Sequence, residues 1–195
     1  MWTEIGEGLQ VLRRVPSVRG AMIHLVLLYS LLAALYVLAL QLAALIDNLG
    51  PSGFGALLAM SGLGMAIGAV MIAQLGHRFS RRRLTAAGLG TITWTLVLLS
   101  QLRGSLAFTL SLCGILGIGA ALVAIPAQTT IQEETPETER GRVFGLQNNL
   151  INIALSLPLV LAGTLVSSIG LQPVLWLLAG LALVAALIER PWQRC

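Results

Sequence analysis

Apolar residues run almost unbroken through this chain, and the charges fall in a few short islands. Residues 20–46, 48–77, 84–102, 104–132 and 143–188 contain no Asp, Glu, Lys or Arg. A helix that crosses a bilayer needs about 20 mostly apolar residues. Each of the first four runs accommodates one such helix. The fifth accommodates two, with a break at "SSIGLQP" (Ser167–Pro173). The pattern therefore predicts six transmembrane helices, near 20–45, 53–75, 84–102, 105–127, 143–168 and 172–188. Barrel strands would alternate apolar and polar positions over about 10 residues. These runs are continuous and rich in Leu, Ala and Gly, so the expected fold is an all-α membrane protein.

A different pattern precedes the first span. Ile5, Leu9 and Leu12 recur at helical spacing, with Glu4, Glu7, Arg13 and Arg14 on other faces. That predicts a surface helix over residues 3–15, lying at the bilayer interface with Trp2 as an anchor and ended by Pro16. The expected organisation is a linker helix (1–19), a six-helix bundle (20–188) and a short tail (189–195). The first apolar run is too long for a cleaved signal sequence, and Glu4 and Glu7 precede it. The links "DNLGPSG" (Asp47–Gly53) and "LRGS" (Leu102–Ser105) are short, so the helices they join should lie side by side and antiparallel.

Composition sharpens the picture. The chain is 56% hydrophobic and only 10% charged, against about 25% charged in soluble domains. Two cysteines, Cys113 and Cys195, make no disulfide framework. His24 and His77 have no partner at metal-ligand spacing, so no metal site is expected. No Ser/His/Asp set or carboxylate pair supports an enzyme, and no cofactor is implied. With no Lys in the chain, no Walker loop exists. "GLGMAIG" (Gly62–Gly68) approximates a dinucleotide fingerprint but lacks the preceding strand and the acidic residue about 20 positions on. Gly64 and Gly68 instead form GxxxG on a membrane helix, a pattern for close helix packing. Gly114, Gly117 and Gly119 in the fourth span fit the same role.

All twelve basic residues are Arg. Threading six spans from a cytoplasmic N-terminus puts Arg13, Arg14, Arg19, Arg78, Arg81, Arg82, Arg83, Arg140, Arg142, Arg190 and Arg194 on one side, and Arg103 alone on the other. This is the positive-inside bias, and it places both termini in the cytoplasm. The island "HRFSRRR" is thus an orientation signal. It is too short to be a nucleic-acid-reading surface.

The same island carries a resemblance. "AQLGHRFSRRR" is similar to the loop motif of the major facilitator superfamily, Gly-x-Leu-Ala-Asp-Arg-x-Gly-Arg-Arg, which joins the second and third helices of each six-helix half. Leu75, Arg78, Arg81 and Arg82 match; Ala73, His77 and Ser80 replace the first Gly, the Asp and the second Gly. "EIGEGLQVLRRVPSVR" resembles the linker into the seventh helix. "IPAQTTIQEETPETERGRVFGLQNN" resembles the loop between the tenth and eleventh, in the style of the macrolide-efflux and enterobactin-exporter branch. The resemblance implies the C-terminal half of such a transporter, with six helices as two inverted three-helix repeats. His77, Arg78, Arg81, Arg82, Gln128, Arg140 and Arg142 become candidates for a cytoplasmic loop and gate. Arg78 and Arg81 are expected to meet the acidic stretch Glu133–Glu139. Pro126 and Gln128 read as a helix-ending element.

Polar residues inside spans are costly and often mark a pathway. In the fifth span Asn148, Asn149, Asn152 and Ser156 fall within an arc of about 100°, together with Gly145 and Gly163. Either they wall a water-filled cavity or they hydrogen-bond between helices. Pro158 is expected to kink this helix. In the first span Tyr29 and Tyr36 share one face, and Ser30 and Gln41 another; by resemblance this helix borders the central cavity. No Asp or Glu lies within a span, so any coupling carboxylate belongs to the absent half. The expected function is one half of a secondary transporter in the cell (inner) membrane. It would export small amphipathic molecules with an N-terminal six-helix half or a second copy as partner. The alternative is a non-transporting scaffold or a truncated gene product with the same fold.

Overall fold

The computed structural model describes residues 12–45, 53–101 and 106–188, and these are helical almost throughout. Six long helices follow in order: α1 (Pro16–Leu45), α2 (Gly53–Leu75), α3 (Arg81–Gln101), α4 (Leu106–Glu134), α5 (Arg140–Ile169) and α6 (Leu171–Ile188). All six are long and apolar enough to cross a membrane. One 3-10 turn (Gly76–Arg78) joins α2 to α3, and another (Glu137–Glu139) joins α4 to α5. Of the surface helix expected over 3–15, residues 12–15 lie among the described ones; 12–14 are helical, and Leu12 is buried against Val18, Met22, Ile131 and Val143. The rest of the expected linker, 16–19, is the first turn of α1. The Asp47–Gly53 link up to Ser52, the Leu102–Ser105 link and the 189–195 tail lie outside the described residues.

Four expected boundaries need correction, all at the same end. α1 starts at Pro16 rather than at 20, α3 starts at Arg81 rather than at 84, α4 runs to Glu134 rather than 127, and α5 starts at Arg140 rather than 143. Helices outrun the hydrocarbon because charged residues continue them into the interface. Proline at the first turn of α1 forfeits a donor that has no helical partner there. Pro126 does not end α4: the helix continues for two more turns, with Pro126 and Ala127 buried in the bundle. The lost backbone bond is outweighed by the packing that surrounds it. The break between the last two helices falls where expected. Gly170, at φ 86°, turns the chain between α5 and α6 and donates its N–H to the Val166 carbonyl. Its positive φ suits a residue without Cβ.

Contacts reveal the internal symmetry. α2 packs along α4 and α5 packs along α1, while α1 meets α4 and α3 meets α6. The pairing exchanges the two three-helix units. The hydrogen bond from Ser17 to Glu134 places the start of α1 beside the end of α4, so the second unit runs opposite to the first. This is the inverted repeat arrangement. The core is apolar and forms two clusters. One, around Met22, Leu25, Ile131 and Val143, sits toward the arginine-bearing end. The other spans the rest of the bundle through Leu38, Leu89, Leu96, Val123 and Leu175.

Glycines weld α4 into this bundle on two sides. A Cβ on Gly64 of α2 would stand 2.0 Å from the Gly114 carbonyl oxygen of α4, and one on Gly117 would stand 2.0 Å from the Ser61 oxygen. On the α3 side, a Cβ on Gly88 would stand 2.7 Å from the Gly119 oxygen. Membrane helices lack a hydrophobic drive to associate, so close backbone approach of this kind supplies the attraction. Large apolar side chains such as Leu63, Ile67, Val70, Trp94, Trp176 and Val184 are exposed on the outside of the bundle, as suits a surface solvated by lipid.

Candidate functional site

Every charged residue among the described ones lies at one end of the bundle. There Arg81, in the first turn of α3, pairs with Glu133 of α4 and lies 3.9 Å from Glu134. Its guanidinium also donates to Thr130 Oγ1 at 3.4 Å. The Ser17 hydroxyl of α1 donates to Glu134. The pairing thus ties α1, α3 and α4, and so both repeats, at one level. The side chains are roughly half exposed, so each contact adds at most about 1 kcal/mol. Arg81 meets the acidic stretch as expected. Arg78 is exposed and has no acidic partner among the described residues. Arg140 pairs with Glu137 at 3.4 Å, one turn away and exposed. Arg82 and Arg142 are exposed. His77 falls in the 3-10 turn.

The asparagine arc of α5 is exposed over its whole length. Asn148, Asn149, Asn152 and Ser156 are all open. The packed side of α5, carrying Val143, Leu146, Gln147 and Ala154, points the opposite way, about 170° round the helix at about 100° per residue. Ser156 donates its hydroxyl to the Asn152 carbonyl at 2.8 Å, so its donor is satisfied within the helix. The three asparagine side chains have no hydrogen-bond partner among the described residues. Asn152 lies twelve residues past Arg140, about 18 Å along the axis. That is deep in a hydrocarbon layer about 30 Å thick.

The first helix divides its candidates between two surroundings. Tyr29 is half-buried and packs on the cluster at the charged end. Tyr36 is 45% exposed and meets Phe54 of α2 edge-on, with ring centroids 5.0 Å apart. Gln41 is exposed. It shares its helix face with Ser30, which lines a cleft between α1, α5 and α6. The Ser30–Gln41 face therefore looks away from the Tyr36–Phe54 contact. Among the described residues no hydrogen bond joins the asparagine arc to Tyr36 or Gln41.

One polar pair escaped the sequence reading. Gln147 is buried and donates from Nε2 to Gln128 Oε1 at 2.7 Å, linking α5 to α4. Its own Oε1 is buried without a partner. Gln147 sits off the asparagine arc, among Val143, Leu146 and Ala154, so it dropped out of a search for polar faces. Its isolation on an apolar face was the available signal. Gln128, a gate candidate, is thus a partner in an interhelical hydrogen bond. Such bonds contribute roughly 0.6 kcal/mol on average in membrane helices. A double-mutant cycle between Gln128→Leu and Gln147→Leu should give a coupling of about that size, up to roughly 1.7 kcal/mol. Additive single effects in an unfolding assay would show that the bond contributes nothing.

No group of His, Cys, Asp or Glu able to hold a metal exists among the described residues. The candidate residues are amides, two tyrosines and a charged end. A search of curated proteins finds no match to the chain. A family description, Major Facilitator Superfamily, matches residues 22–192. That span takes in all six membrane helices but the first turns of α1, and the inverted repeat agrees with it: the chain belongs to the Major Facilitator Superfamily of secondary transporters.

Proposed function

We propose that this chain forms one wall of a central transport cavity and, with a second six-helix unit, exports small amphipathic molecules across the cell (inner) membrane by alternating access. The observation that carries the reading is the exposed asparagine arc, Asn148, Asn149 and Asn152, at the depth of the hydrocarbon. Amides with unmet hydrogen bonds are unfavourable against acyl chains. They suit a water-filled cavity whose substrate presents both apolar surface and hydrogen-bonding groups. Tyr36 on Phe54 and the small residues Gly145 and Gly163 extend the character of such a wall, while Gln41, on the Ser30 face, stands apart from it. The macrolide-efflux and enterobactin-exporter likeness of the loop before α5 favours export and a drug- or siderophore-sized substrate.

The bundle's charged end is cytoplasmic in this reading, and both termini lie there. Arg81 with Glu133 and Glu134 closes that end, with Arg78, Arg82, Arg140 and Arg142 around it and His77 in the turn beside it. Leu12, just before α1, docks on the bundle at that end. Orientation has a direct test. Single cysteines at Ser52 and Ser105 should react with an impermeant maleimide added outside intact cells, and one at Ser80 should not. The opposite labelling pattern overturns the assignment.

Transport is tested by Asn152→Leu in the assembled transporter. Leucine matches the size of the side chain and removes its amide. Export of the amphipathic substrate should fall several-fold with membrane expression unchanged. Unchanged flux would mean that the arc meets another protein surface rather than the pathway.

A further inference from the structure

An apolar cleft of about 570 Å³ opens between α1, α5 and α6. Ile23, Val26 and Ala34 line it from α1, Leu165 from α5, and Leu177 and Leu181 from α6. Ser30, midway along, is the one polar residue among its lining. The cleft exists because the internal symmetry is broken there. Under the repeat, α6 against α1 corresponds to α3 against α4. The α3–α4 seam is closed by Gly88 on Gly119. The matching face of α1 carries Ile23, Val26, Leu27 and Leu31 and no glycine past Gly20. α6 therefore stands off α1, and the cleft opens between them.

The α1 wall of this cleft ends in a cation. Arg19, Ile23, Val26, Ser30 and Ala34 follow at helical spacing and form one stripe. Arg19 lies about one turn below Ile23, at the charged end of the bundle. It is exposed and has no acidic partner among the described residues. Ser17, which meets Glu134, is about 160° away round the helix, so the acidic pair is on the other side. From Arg19 to Ser30 is eleven residues, about 16 Å. This matches one leaflet's half of a hydrocarbon layer about 30 Å thick.

We infer that the cleft holds one acyl chain of an anionic phospholipid, with the lipid phosphate on Arg19. An apolar slot open to the bilayer fills with hydrocarbon, and the exposed Arg19 at its interfacial end favours a negatively charged headgroup. A phosphate there gains a charge-assisted contact that the slot walls cannot provide. The site lies apart from the asparagine arc and stands independently of the transport reading.

The test places a bimane reporter at Ser30→Cys in the full chain, after Cys113→Ala and Cys195→Ala. It is reconstituted in phosphatidylcholine vesicles containing either dibrominated phosphatidylglycerol or dibrominated phosphatidylcholine. The brominated anionic lipid should quench at about fivefold lower mole fraction, the preference one interfacial Arg supplies. Arg19→Gln should abolish the preference while leaving quenching by the zwitterionic lipid, which shows the bundle intact. Arg19→Lys should keep most of it. Equal quenching by both lipids in the parent chain would reduce the cleft to ordinary lipid contact and overturn the proposal. No quenching by either would show that acyl chains do not enter. A preference unchanged in Arg19→Gln would remove the headgroup assignment.

Discussion

Gly64→Ala should unfold this bundle at markedly lower temperature, while Gly62→Ala, two residues away, should leave it unchanged or slightly more stable. The difference lies in what one methyl group meets. At Gly64 it would stand 2.0 Å from a backbone oxygen of Gly114. Ordinary contact begins at 3.4 Å, so α2 and α4 would have to part by more than an ångström. The obstacle is backbone, which cannot rotate aside. Parting the helices also loosens Gly117 on Ser61 and Gly68 on Ala121, which belong to the same seam. Overpacking costs about 1–3 kcal/mol and occasionally more. The upper end applies here, a fall of roughly 6–12 °C in melting temperature. At Gly62 a methyl meets nothing within 4 Å, and alanine is the better helix former by up to about 1 kcal/mol. Gly163→Ala, likewise open, is a second control. Thermal unfolding in detergent, followed by fluorescence or aggregation, reads all three. Equal melting of Gly64→Ala and Gly62→Ala would mean that the seam is looser than described.

That contrast shows how much of this fold is legible in the chain itself. GxxxG at Gly64–Gly68 announces a close approach, but not the partner. Gly114 and Gly117 have similar spacing, and only packing decides that α4 lies across α2. The six spans are legible because each lacks charge and each break holds charge or turn residues. Their ends are less so, since nothing in hydropathy separates the last hydrocarbon turn from the helix that continues into the interface. Pro126 misleads for a related reason: a proline's local cost is readable, while the buried contacts that outweigh it are tertiary. The candidate site divides in the same way. The asparagine arc follows from helical periodicity, and its exposure agrees with a face that packs against nothing among the described residues. Arg81 meets the acidic stretch because charge complementarity is visible in sequence. Gln147 was invisible to a search for polar faces because its partner, Gln128, is on another helix. The lipid-facing cleft depends on how far α6 stands from α1, a distance set by bulky side chains on a face that hydropathy reads only as apolar.

Purified and reconstituted by itself, the 195-residue chain should give no substrate flux, and flux should appear when a second six-helix unit is supplied. Superfamily binding sites lie near the bilayer midplane between two bundles, and alternating access rocks one bundle against the other. In the proposed reading this chain presents one wall. Its asparagine arc has no hydrogen-bond partner among the described residues. In a lone bundle the arc faces lipid, where each unpaired amide is unfavourable by about 1–3 kcal/mol on protein-based scales. Three such groups make a strong incentive for association. The expected partner is a separately supplied N-terminal half, with a second copy of this chain as the other arrangement. The two differ in mass by native mass spectrometry and in stoichiometry by single-molecule bleaching. Replacing Asn148, Asn149 and Asn152 together by Leu should act oppositely on the two properties. The lone bundle should become more stable in lipid, because the unmet amides are gone, while export by the assembled pair should be lost. A bundle shown to be monomeric that nevertheless carries substrate across vesicles would refute the partner requirement. A triple variant that still transports would separate the association face from the pathway, leaving the Tyr36–Phe54 surface as the candidate cavity wall.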